Sequence, residues 1–228
     1  MSDHAKDISQ DYLEHLMVDY ASGALDEALS LVMASYISLS PYAQEQLRHL
    51  ENIGGALLCQ DCPPQEMNKD SLANVLDKLD ECLTEAIAEL EEIELALHCD
   101  IPTPITQHIS AHSPSAKAPQ WERKLNGIEA MVIPLSAECE NNVSLMKIAP
   151  GIPTPEHTHR GLELTLVLDG AFTDETGSYE TGAILIHDER IKHQPVSCPQ
   201  QGCVCLVATD APLRFTRGWM RLLNPFLK

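Results

Sequence analysis

One short segment constrains this chain more than any other: Gly151, five residues, His157-Thr158-His159, three residues, Glu163, six residues and Gly170. Residues two apart on an extended strand face the same side, so His157 and His159 present two imidazoles to one cavity. Glu163 shares that parity, while Leu162, Leu164, Leu166 and Leu168 point to the other face. An unpaired carboxylate buried in such an apolar run costs several kcal/mol, and a cation removes that cost. Two imidazoles and a carboxylate make a divalent-metal site one ligand short, and His193, beyond the next strand, is the natural fourth. The leucine stripe then forms either an interface between copies of the chain or a face packed on an opposing sheet.

The surroundings of this segment are strand-like. Proline and glycine punctuate apolar runs at 130–133, 143–148, 162–168, 183–186 and 204–207, the spacing of a sandwich or small barrel. Residues 1–98 read differently, with apolar positions recurring at helical spacing. Tyr12, Leu13, Leu16, Met17 and Tyr20 form one stripe, closed by Ser22-Gly23. A second helix spans about 26–38, with Leu29, Val32, Met33, Tyr36 and Ile37 on its stripe and Asp26-Glu27 at its positive end. Ser40-Pro41 opens a third, carrying Leu47, Leu50 and Ile53 as far as Gly54-Gly55. Asp70-Ser71 opens a fourth with Leu72, Val75, Leu76 and Leu79 on its core face, and a fifth spans about 84–97. Pro102, Pro104, Pro114 and Pro119 are expected to block regular structure in a linker at 99–119. The expected architecture is α plus β in two domains: a small helical bundle over 1–98 and a β-domain over 120–228.

Charge separates the halves again. The chain holds 34 acids and 15 bases, a net of −19, and residues 1–98 contribute 20 of those acids and only four of the bases. Such a surface repels phosphates and anionic lipid, so direct nucleic-acid and membrane binding are not expected. It favours a basic protein partner. No run approaches the roughly 18 apolar residues of a membrane helix, and the polar start is unlike a signal peptide, so a cytoplasmic location is expected. Eight cysteines in such a chain are then read as free thiols or metal ligands.

The histidine segment matches the first cupin motif position for position. Gly182, five residues, Asp188-Glu189-Arg190-Ile191-Lys192-His193 follows the spacing of the second. The proline and glycine usual there are replaced by Asp188 and Arg190, and Ser197 stands where asparagine is common. This similarity implies a double-stranded β-helix, or jelly-roll barrel, holding one divalent metal through His157, His159, Glu163 and His193. The whole chain resembles the ChrR-type anti-sigma factors, through Tyr20-Ala21-Ser22-Gly23-Ala24-Leu25, Ala28-Leu29-Ser30-Leu31-Val32, Ile53-Gly54-Gly55-Ala56-Leu57-Leu58 and Ala149-Pro150-Gly151. The resemblance implies a cytoplasmic transcription regulator whose helical domain sequesters a sigma factor of the extracytoplasmic-function type and releases it under oxidative stress. It also favours zinc in the cupin, although this ligand set takes manganese, iron or nickel as well.

One departure stands out. The family's helical domain usually holds a zinc through an upstream histidine and three further positions that here carry Tyr36, Ser40 and Ala43, none a competent ligand at neutral pH, and the nearby His4 and His15 do not replace three missing ligands. The helical half is therefore expected to be metal-free. Cys59-Gln60-Asp61-Cys62, with His49 upstream, supplies at most part of a relocated site or a redox pair, and two loop thiols is the preferred reading. Cys203 and Cys205 read as small buried strand residues, and His187 is not counted as a ligand. A competing function is a metal-dependent cupin enzyme of dioxygenase type, with the helices serving oligomerisation and Arg160 or Tyr179 facing a pocket. A third is a scaffold that dimerises through the leucine stripe.

Overall fold

The computed structural model describes residues 3–62, 64–78, 101–112, 119–211 and 214–216. The helix expected over 84–97 lies outside the described residues. Helix α1 (Asp3–Ser22) closes at Gly23, whose φ of 72° is the left-handed conformation that glycine adopts without penalty. Helix α2 (Glu27–Leu39) is capped by Asp26, whose carboxylate accepts from the backbone N–H groups of Ala28 and Leu29. Helix α3 (Pro41–Asp61) begins with Ser40 as cap and proline in its first turn. It does not stop at Gly54-Gly55 as expected. Two glycines weaken a helix interior by about 1 kcal/mol each without breaking it, and α3 ends just before Pro63-Pro64. Residues 71–78 form α4.

Two expectations about packing fail in this half. Ile53 on α3 is 59% exposed, and Leu72, Val75 and Leu76 on α4 are 67%, 55% and 53% exposed, so their stripes face outward. Periodicity identifies an apolar face but not what covers it. The span read as linker also contains a helix, α5 (Thr103–His112). Pro104 sits in its first turn, where an N–H has no helical partner anyway, so proline is tolerated there. Ile105, Thr106 and Ile109 are fully buried, and α5 packs on α2.

The remaining described chain is antiparallel β-structure. Strands β1 (Glu122–Leu125), β2 (Ile128–Ile133), β3 (Asn142–Ile148), β10 (Cys203–Thr209), β5 (Glu163–Thr173) and β6 (Ser178–Glu180) follow one another across the larger sheet. Strands β7 (Ile184–His187) and β9 (Val196–Ser197) also pair with β5. A smaller sheet joins β11 (Arg214–Phe215), β4 (His157–Thr158) and β8 (Lys192–His193).

Strand β5 organises both sides of the larger sheet. Leu164, Leu166 and Leu168 join Val204, Leu206 and Ala208 of β10 in one core with Leu16, Leu31, Val32 and Met33 from the helices and Ile105 and Ile109 from α5. Leu164, Leu166 and Leu168 of the stripe are thus covered by the chain's own helices, in place of a second copy or an opposing sheet, while Leu162 is half-buried outside this core. On the inner face, Val167 packs with Phe172, Cys203, Cys205 and Val207. A register shift opposite Val204 and Cys205 lets both Val167 and Phe172 face inward despite their opposite parity.

Candidate metal centre

The strand pattern brings the four expected residues together. His157 and His193 are directly opposed on β4 and β8, His159 lies two residues past His157, and Glu163 begins β5. Their exposures are 8%, 2%, 3% and 7% respectively, deep enough that each polar atom requires a partner. Nε2 of His193 lies 3.0 Å from Nε2 of His157 and 3.2 Å from Nε2 of His159, and Nδ1 of His159 lies 3.5 Å from Oε2 of Glu163.

Proton placement decides what this cluster can do. Nδ1 of His157 is 2.7 Å from the Pro155 carbonyl, and Nδ1 of His193 is 3.0 Å from Oδ2 of Asp174. Both partners only accept, so each Nδ1 carries a proton and, in the neutral ring, each Nε2 is a bare lone pair. Two lone pairs facing each other at 3.0 Å repel unless a cation lies between them. Nδ1 of His159 has no hydrogen-bond partner. Burial pushes the His159 imidazole down to about 4 and lowers His157 as well, which favours neutral, ligand-competent rings. Burial alone would raise the Glu163 carboxyl, but the neighbouring His187, His159 and His157 draw it down to about 2. The donor set fits a divalent metal, and this buried His/Glu cluster can hold one.

Several supporting groups escaped the sequence reading. Asp174, on the turn after β5, fixes the His193 tautomer and is itself oriented by N–H groups of Thr176 and Gly177 at 2.8 and 3.1 Å. Its Asp-x-Thr-Gly turn signature was legible, but its closeness to a histidine nineteen positions away was not. The Thr165 hydroxyl donates to Glu163 across 3.1 Å, as its matching parity on β5 allows. His187 is buried opposite Glu163 in the β5–β7 register, with Nδ1 3.8 Å from Oε1.

The altered second motif also makes physical sense. Asp188 accepts from the Arg190 backbone N–H at 2.9 Å and pairs with its guanidinium, building a side-chain-capped turn in place of the usual proline and glycine. Ser197 is buried, donates to the Ala149 carbonyl at 2.6 Å and accepts from Ile152 N–H at 3.1 Å, so it ties down the loop that leads to His157.

Elsewhere the geometry separates residues that sequence had grouped. His49 and Cys59 lie ten residues apart on α3, about 15 Å along a helix, and Cys59 and Cys62 are exposed. Ser40 N–H donates to the Tyr36 carbonyl at 3.0 Å and its hydroxyl accepts from Ala43 N–H at 3.2 Å, so hydrogen bonds join these three positions. Tyr179 and His187 line a cavity of about 1070 Å³ between α1, α3 and the β6–β7 region, whereas Arg160 is exposed. No helix among the described residues is long and apolar enough to cross a membrane.

Comparison with known proteins agrees with this architecture. The ChrR cupin-like domain family matches residues 111–212. The anti-sigma-E factor ChrR of Cereibacter sphaeroides is 34% identical over 215 residues, spanning 93% of this chain and 95% of that protein. The crystal structure of Rhodobacter sphaeroides SigE in complex with the anti-sigma ChrR contains a chain that superposes with a TM-score of 0.62 at 32% identity, covering 86% of this chain and 96% of that one. Helices and cupin are matched together, and the chain therefore belongs to the ChrR family of cupin-bearing anti-sigma factors.

Proposed function

We propose that this protein is a cytoplasmic anti-sigma factor that sequesters a sigma factor of the extracytoplasmic-function type through its acidic helical half. The observation that carries this reading is the likeness over nearly the whole chain to an anti-sigma factor seen in complex with SigE. The surface suits such a partner. Ile53, Leu57 and Leu58 on α3 and Leu72, Val75 and Leu76 on α4 are all more than half exposed, on a half with 20 acids and four bases. Apolar side chains set among like charges match a partner that is apolar at its contact and basic around it.

The cupin half, on this reading, is a metal-bearing regulatory body and not a catalyst. His157, His159, Glu163 and His193 hold the ion, with zinc preferred, and Asp174 and Thr165 orient the ligands. A bound divalent ion supplies the positive charge that the facing lone pairs require. Release of the sigma factor under oxidative stress would be signalled through this half, which shares a core with the helices.

Co-expression of the full chain with sigma factors of its own genome, followed by affinity capture, tests the function. One of them should be recovered with the full chain, and Leu57→Asp or Leu76→Asp should abolish that recovery. Failure to capture any sigma factor, or metal-dependent oxygen consumption on a small substrate, would overturn the reading. Elemental analysis of protein purified without chelator tests the metal separately.

A further inference from the structure

A second histidine cluster lies apart from the cupin centre, where the helices meet the sheet. His108 and His112 are one turn apart on α5, with stacked rings whose centroids are 4.2 Å apart. Both turn Nε2 toward Oε1 of Glu27 in the first turn of α2, at 3.6 and 2.8 Å. Histidines four apart on one helix face, with a carboxylate from a second element, are a recurrent way to chelate a divalent ion.

Proton placement again shows what is missing. Nδ1 of His112 lies 3.0 Å from the His108 carbonyl, which only accepts, so Nδ1 carries the proton and the neutral ring presents a bare Nε2. That lone pair faces a carboxylate oxygen, a second acceptor, at 2.8 Å. The other Glu27 oxygen is occupied by the Ser136 backbone N–H at 2.9 Å and by the Ser136 hydroxyl, which leaves Oε1 for a cation. Nε2 of His108 lies 2.8 Å from the Pro134 carbonyl, to which the metal-free ring donates, and an ion would take that proton's place on Nε2 while the neutral ring carries its hydrogen on Nδ1. The three ligand atoms lie within 4.8 Å of one another, and tetrahedral zinc would draw them to about 3.3 Å.

We infer that Glu27, His108 and His112 form a second divalent-cation site, suited to zinc, that staples α2, α5 and the β2–β3 loop together. Unlike the cupin centre it is half open. The side chains are 23%, 13% and 29% exposed, and a hollow of about 390 Å³ lined by Tyr20, Ser30 and Gln107 opens beside them. Three protein ligands leave a coordination position for water, so this ion should exchange more readily than one held in the cupin.

Chelator-stripped full-length protein, titrated with Zn²⁺ alone, provides the test. Glu27→Gln keeps an oxygen to accept from Ser136 but weakens the ligand, and His112→Gln removes one. Each variant should hold one equivalent fewer than the wild type, whatever number the cupin centre takes, with an unchanged far-ultraviolet circular dichroism spectrum. In the wild type, Zn²⁺ should also shift the ring ¹⁵N resonances of His108 and His112, a readout that requires no variant to fold. Equal stoichiometry in folded variants, or unshifted rings, would overturn the site and leave a proton on His112 as the species between the two acceptors.

Discussion

The connections around the cupin cluster and the turn between α2 and α3 differ in what lies at their centre. In the cupin half, the connections around β4, β5 and β8 converge on a buried cluster whose lone pairs call for a cation. In the helical half, the turn between α2 and α3 is closed by neutral hydrogen bonds from Ala43 N–H to the Ser40 hydroxyl and from Ser40 N–H to the Tyr36 carbonyl. The resemblance to ChrR-type chains implies zinc ligands at these positions in that family, where this chain carries Tyr36, Ser40 and Ala43. A metal-stabilised turn and a hydrogen-bonded turn can thus occupy the same place, but only the first makes folding depend on metal supply.

Substitutions in each half should expose that contrast. The largest effect is expected from His193→Ala, which removes a ligand and leaves Asp174 buried beside an unfilled space. It should abolish the cupin equivalent of metal by elemental analysis and lower stability by about 3–5 kcal/mol. Leu166→Ala should cost about 2–5 kcal/mol in urea unfolding, because the side chain is fully buried in the core shared by helices and sheet. Both halves should respond together. Separate transitions for the helices would break that expectation.

Acid provides a third comparison. Burial holds the His159 imidazole at about 4, below its ordinary value of 6.5. The folded form therefore disfavours the proton. The metal-free protein should have this contribution in full above pH 6.5 and lose up to about 3 kcal/mol as the pH falls from 6.5 through 4. Urea midpoints of chelated protein at pH 7.5, 6 and 4.5 read this directly, and a flat profile would contradict it. Asp174→Asn should weaken metal binding by about 10–100-fold, measured by competition with a chelator, since it disturbs the His193 tautomer without removing a ligand. The smallest effect is Ser40→Ala, about 1 kcal/mol for a lost helix cap. It should leave metal stoichiometry untouched.

How much of this was legible in the sequence depended on the range of the interaction. The alternation of β5 placed Glu163 opposite Leu164, Leu166 and Leu168, because a period of two is local to the strand. Gly23 and Ser40-Pro41 marked helix ends through backbone chemistry that operates within one turn. Asp174 and His187 were not assigned because their meeting with His193 and Glu163 is set by how β6, β7 and β8 return across the barrel. The α5 helix was hidden by its prolines, although Pro104 falls where a helix tolerates one. The outward stripe of Leu72, Val75 and Leu76 was misread because amphipathic spacing is the same whether the apolar face meets the chain's own core or another molecule.

Strand β5 carries Glu163 and Thr165 toward the histidine cluster and Leu164, Leu166 and Leu168 into the helices. A slip of one residue would exchange those faces, turning the carboxylate into the helix seam and leucines onto the histidines. Ligand chemistry and domain docking are therefore encoded as the odd and even positions of a single ribbon, and neither can drift without dragging the other.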